Sequence, residues 1–246
     1  MSPVDRPPLV AGAGFGALGY FVEPDEWTRR LVRDVRAICE DHGIAVLDIE
    51  IVRILPDPDL HKAARIIDVG RRLGASNILV VGHDPDRTAT IRQFRSICAM
   101  AGDAGMRAAL EFMPFRSVAN LRDAVEVVTE AGHPAGAVLI DSHHLHRSGG
   151  VPGDIRALPA RMLPYAQICD IPADAADLSP EDAWREAQDG RLLPGAGSLP
   201  LRELIDALPH GCHLSAELIG PDVRRPFAGP ESFMRAIKGA LDGLVP

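Results

Sequence analysis

The stretch Gly136-Ala-Val-Leu-Ile-Asp141, followed at once by Ser-His-His-Leu-His-Arg147, decides the fold. A short aliphatic run ending in a lone carboxylate reads as a strand that delivers a polar group at its tip. The same pattern recurs on both sides of it. Strands are predicted near Phe15–Phe21, Ile44–Ile54, Asn77–Val81, Ala108–Met113, Tyr165–Ile171 and Cys212–Leu218. Between them lie amphipathic stretches near Asp25–His42, Asp57–Leu73, Thr88–Gly105, Ser117–Ala131, Gly153–Arg161, Ser179–Gln188, Pro200–Ala207 and Pro230–Leu241. Asp57-Pro58, Ser117 and Ser179-Pro180 supply helix-start signals, and Gly43, Gly74, Gly105 and Gly132 supply stops.

Strand and helix in strict alternation mean a parallel sheet. An open doubly wound sheet would place a glycine-rich phosphate turn after its first strand. Ala11-Gly-Ala-Gly-Phe-Gly16 precedes the strand instead, so that reading is set aside. The expectation is an α/β fold, a TIM-type (β/α) barrel, with the first strand missing or atypical. Seven strands are read where closure needs eight, and Leu9–Phe21 reads as a lead-in running into the second. The 246 residues match the roughly 250 of one such barrel, so residues 1–246 are expected to form a single domain.

Composition excludes several functions. The formal net charge is −8 and no run of Lys or Arg occurs, which argues against a nucleic-acid surface. No apolar run approaches the roughly 18 residues that span a bilayer, so no membrane partner is expected. The N-terminal residues Met1–Gly14 lack the pattern of an export signal. Cys39, Cys98, Cys169 and Cys212 stand singly, without metal-type spacing. Reduced thiols in a cytoplasmic enzyme are the plain expectation.

Active sites of such barrels lie at the C-terminal ends of strands. The polar residues found there are Glu50, His83, Glu111, Asp141, His143, His144, Gln167, Asp170 and Glu217. A carboxylate inside Ala-Leu-Glu-Phe-Met or Ser-Ala-Glu-Leu-Ile is costly to bury unless something compensates for it. Each could pair with an arginine or cap a helix. Taken jointly, Glu111, Asp141 and Glu217 point to a divalent cation.

Five segments carry a resemblance: Leu110-Glu-Phe-Met-Pro-Phe115, Asp141–Gly150, Gln167-Ile-Cys-Asp-Ile-Pro172, Arg191–Leu201 and Ala216-Glu-Leu-Ile-Gly-Pro221. Together they resemble the sugar phosphate isomerase/epimerase family, the xylose-isomerase-like TIM barrels. That resemblance covers the chain from about residue 20 to its end. It implies one divalent metal held by Glu111, Asp141, Gln167 and Glu217. Epimerases of the family commonly have histidine where Gln167 stands. An amide oxygen favours a hard cation, which tilts the expectation to Mn²⁺ or Mg²⁺.

The resemblance further implies an isomerase or epimerase of a keto-sugar or polyol. Proton transfer would pass through a metal-stabilised enediolate, with Glu111 and Glu217 as acid and base. The alternative is a dehydratase, which expels a β-hydroxyl from the same intermediate. His144 matches a substrate-contacting histidine and is catalytic in this reading. If residues 143 and 144 lie on an extended segment, only one of the two histidines faces the site. Substrate contacts are expected from Glu50, His83, His143, Arg147, Asp170 and Arg191, with Asp170 also orienting a neighbour. Relatives often form homo-oligomers, so a second copy is a possible partner. The family's DNA-repair branch needs several zinc ions and a basic groove, which this acidic chain lacks.

Overall fold

The computed structural model describes residues 1–172 and 178–245. Its elements run α1 (Arg6–Gly12), β1 (Ala17–Phe21), α2 (Arg29–Asp41), β2 (Ala45–Ile54), α3 (Leu60–Leu73), β3 (Asn77–Gly82), α4 (Arg87–Asp103) and β4 (Arg107–Glu111). They continue with α5 (Leu121–Ala131), β5 (Gly136–Asp141), α6 (Ser142–Arg147), α7 (Pro152–Ile155), β6 (Tyr165–Ile168), α8 (Pro180–Arg185), α9 (Leu201–Ala207), β7 (His213–Ala216) and α10 (Pro230–Asp242). Among the described residues seven strands are present, each overlapping a predicted one.

The chain packs as two compact units. One comprises Met1–Glu111 with Ala124–Val138, the other Phe112–Asp123 with Leu139–Pro246. In the first, β1 to β4 pair in parallel and in chain order. β3 is buried along its whole length, as expected for a parallel strand covered on both faces. The apolar stripe of α3, which includes Ile66, Ile67 and Leu73, is buried, as is that of α4, with Phe94, Ile97 and Cys98. Helix starts are capped by Thr28, Asp59 and Asp86, each accepting from a backbone N–H one turn on. Asp59, rather than Asp57, opens α3, and Asn120, three residues past Ser117, accepts from Asp123 N at 3.0 Å at the start of α5.

The first strand is irregular. Its register against β2 slips between Leu18 and Gly19, where the buried carboxylate of Asp48 fills the space a side chain at residue 19 would need. Ahead of it, α1 begins at Arg6-Pro-Pro and takes up the start of Leu9–Phe21, the stretch expected as a lead-in. Proline is tolerated in a first turn because those N–H groups have no helical partner.

In the second unit β5, β6 and β7 pair in parallel. Asp141 stands beside Gln167, Gln167 beside Ser215, and Ile168 beside Ala216. The segment after β5 is a helix, α6, and not the extended chain expected from sequence. Asp141 Oδ1 accepts from His144 N at 2.9 Å, so the last residue of the strand is also the helix cap. Ser142 Oγ donates to Cys169 O at 2.8 Å and accepts from Cys169 N at 2.9 Å, fastening the start of α6 to the end of β6.

Candidate active site

The site is described from the second unit, whose strand ends gather the polar residues. Asp141 is fully buried, Gln167 is nearly so, and Glu217 follows β7 with its N–H on Ile168 O at 3.3 Å. Parallel register sets these three on successive strands at the same edge.

Arg191 ties two of them together. Its Nη1 lies 2.7 Å from Asp141 Oδ2, and its Nη2 lies 3.1 Å from Glu217 Oε2. Its Nε donates to Ala187 O at 3.0 Å, which fixes the plane of the guanidinium. Only 1% of this side chain is exposed, so the pair is dry. Burial alone would raise the Asp141 carboxyl, but the Arg191 guanidinium outweighs it and holds the group well below the ordinary carboxylate range. Burial likewise works against the charge on Arg191, and Asp141 and Glu217 reverse that effect.

A second cluster adjoins the first. Arg147 makes a bidentate pair with Glu186, Nε to Oε2 at 2.6 Å and Nη2 to Oε1 at 2.7 Å. The same Oε2 lies 2.9 Å from His143 Nε2, and His143 Nδ1 lies 3.1 Å from His144 Nδ1. The two imidazoles meet edge to face at 4.9 Å, and Phe115 packs on His144 with ring centres 5.5 Å apart. Burial pushes the His144 imidazole down to about 3 against the pull of Asp141, so it is neutral. The Glu186 carboxyl is drawn down to about 2: hydrogen bonds from His143 and Arg147 outweigh the opposing effect of burial.

Ligand atoms of Asp141, His143 and His144 come within 4.8 Å of one another, the spacing of a metal site. Both nitrogens of His143 are already engaged, by Glu186 and by His144, which removes it as a ligand. The oxygen set of Asp141, Gln167 and Glu217 has no such conflict, because a carboxylate oxygen carries lone pairs enough for a cation as well as an arginine. Two carboxylates against one guanidinium leave a net negative charge, and oxygen donors with that charge suit a hard divalent ion.

Asp170 serves a different end. Its Oδ1 accepts from Ile171 N and Leu199 N at 2.9 Å, and its Oδ2 from Gly195 N at 3.0 Å. The carboxylate thus shapes the loop from Leu192 to Leu199, whose first residue bridges to it backbone to backbone. Gly197 lies so near Ile171 O and the Asp170 carboxylate that no Cβ fits. Gly197→Ala is expected to cost about 1–3 kcal/mol, the usual range for overpacking, read from the urea midpoint. A cost below about 0.5 kcal/mol, the usual limit for neutral surface changes, would show that this loop yields.

In the first unit Glu111 ends β4 and is 2% exposed. Glu50 lies in β2 opposite Phe21, and His83 follows β3 with its N–H on Ile54 O at 2.8 Å; both are half-buried. The residue that sequence reasoning missed is Glu186. It sits one position before the buried Ala187 in a π-helical turn, Glu186–Gly190, that continues α8. Three residues after the buried Ala183, on the same helix face, that glutamate was the one available signal.

Among the described residues no helix is long and apolar enough to cross a membrane. A family model described as xylose isomerase-like TIM barrel matches residues 8–232. A 3-dehydroshikimate dehydratase of Pseudomonas putida is 27% identical over 205 residues, 78% of this chain and 32% of that protein. The chain spans about a third of the length of the curated relatives it matches, 32% in each. Among solved structures, a fusion of a xylose isomerase-like TIM barrel with a 4-hydroxyphenylpyruvate dioxygenase superposes with a TM-score of 0.86 at 23% identity, over 99% of this chain and 40% of that one. An IolI protein with a bound zinc atom gives 0.84 at 16% identity, over 97% of this chain and 91% of that one.

Proposed function

Because the chain belongs to the xylose isomerase-like TIM barrel family, we propose that it is a divalent-metal-dependent lyase. It would remove water from a hydroxylated cyclic carbonyl compound of the 3-dehydroshikimate type, the kind named for its Pseudomonas relative. The metal would be held by Asp141, Glu217 and the amide oxygen of Gln167. Glu111 is kept as the fourth ligand on the family resemblance alone, and an oxygen donor set suits Mn²⁺ or Mg²⁺. The bound cation would polarise the substrate carbonyl and acidify the neighbouring C–H.

One observation favours dehydration over the epimerisation expected first, the grip of Arg191 on Glu217 at 3.1 Å. Epimerisation through Glu111 and Glu217 needs both carboxylates to exchange protons. An ion pair with a buried guanidinium favours the charged form of a carboxylate, which suits a ligand better than a proton shuttle. Dehydration needs a single base, and we assign that role to His144, whose backbone N–H donates to Asp141. The C–H bond breaks, its proton passing to the imidazole and its electron pair being drawn towards the carbonyl. That pair then forms the C=C bond to the β carbon as the β C–O bond breaks with its own pair, and the departing hydroxyl takes the same proton and leaves as water. The four free cysteines suit a reducing compartment, and we assign the enzyme to the cytoplasm.

The test is to supply Mn²⁺ or Mg²⁺ with 3-dehydroshikimate and follow ultraviolet absorbance. Loss of water from that ring gives an aromatic product, so absorbance should rise only with metal present. In heavy water, deuterium entering recovered substrate without water loss would replace this reading by epimerisation.

A further inference from the structure

Glu186, His143 and His144 form one line of hydrogen bonds, and its direction can be read. An ionised carboxylate only accepts, and Glu186 is held ionised by Arg147. The 2.9 Å contact with His143 Nε2 therefore requires the proton on that nitrogen. A neutral imidazole carries one ring proton, and with it on Nε2 His143 offers a lone pair at Nδ1, 3.1 Å from His144 Nδ1. Two lone pairs do not share that distance, so His144 Nδ1 is the donor. The hydrogen bond at one imidazole nitrogen sets the state of the other, which leaves His144 Nε2 as the acceptor.

We propose that Glu186 is a positioning residue that, through His143, sets His144 in the tautomer protonated at Nδ1 and basic at Nε2. The arrangement is built for this. The side chain of His143 is 0% exposed, those of Arg147 and Glu186 are 5% and 11% exposed, and Arg147's two-point grip leaves Glu186 one orientation. The tautomer stands on the hydrogen bonds alone, and its use in taking a proton rests on the dehydratase reading.

Long-range ¹H–¹⁵N spectra of protein labelled on histidine read the tautomer directly, at pH 8 with neither metal nor substrate. Signals of His144 are assigned by their loss in His144→Asn. The wild type should show His144 Nδ1 protonated and Nε2 bare. In Glu186→Gln one acceptor oxygen remains, Arg147 claims it, and the amide NH₂ turns to His143 Nε2. The chain of donors then reverses, and the His144 proton should move to Nε2. A wild-type spectrum with His144 protonated on Nε2, or on both nitrogens, overturns the proposal. So does a folded Glu186→Gln variant whose His144 pattern is unchanged. The wild-type spectrum alone decides should Glu186→Gln fail to fold. A protein with the expected tautomer but no action on 3-dehydroshikimate would sink the function and leave this inference standing.

Discussion

Replacing His144 with asparagine should lower kcat for dehydration by about 10²- to 10⁴-fold, the contribution typical of a positioned base. Asparagine is chosen because its amide NH₂ falls where Nδ1 stands. It can keep the hydrogen bond to His143, 3.1 Å away in the wild type, and can fill the space against Phe115. What it lacks is any group in place of Nε2. Metal affinity should stay near the wild-type value, since His144 is not among the oxygen ligands. Turnover within about threefold of wild type, in a folded variant that still binds Mn²⁺, would remove His144 from the reaction. A loss of metal binding instead would make it a ligand.

The second large effect is on stability. In the metal-free protein Asp141→Asn should cost about 3 kcal/mol, the lower end of the range for a buried pair that loses one partner. The lower end applies because Glu217 still holds Arg191 Nη2 at 3.1 Å. What remains is a guanidinium 1% exposed with one anion instead of two. Asparagine keeps an oxygen for His144 N–H, so the helix cap is not the cause. Adding Arg191→Met should recover part of the loss, since no uncompensated charge then lies buried. Urea melts of the two variants without metal decide this. A single variant within about 1 kcal/mol of wild type, or a double variant less stable than the single, would deny the pair its place in the fold's energetics.

Much of this was legible in the chain itself. Strands stand out where both faces are buried and aliphatic residues concentrate, as in Gly136–Asp141. The strand-end carboxylates stand out for the complementary reason that a charge among aliphatic residues needs a partner. Two helices were hidden. α1 carries two prolines in a first turn, which resemble a break. α6 is six residues long and begins on a strand's last residue, so its cap, Asp141, was read as a ligand alone. The pairing of Arg191 with Asp141 spans 50 positions and has no local signature. Glu186 was the least visible, because an acid in a polar helical stretch looks solvated until the fold sets His143 and Arg147 against it.

The π turn from Glu186 to Gly190 gives that segment an unusual sensitivity. Glu186 points its charge at His143 and Arg147, and Arg191, five positions later, points its own at Asp141 and Glu217. A turn of five residues brings them to these stations. One residue fewer relaxes it to the ordinary helical repeat and swings the arginine by about 100° around the axis. The identity of the exposed Asp189 matters little, while the number of residues in the turn does. A frame-preserving loss or gain of a single codon here would uncouple the two charge clusters that Glu186 and Arg191 serve.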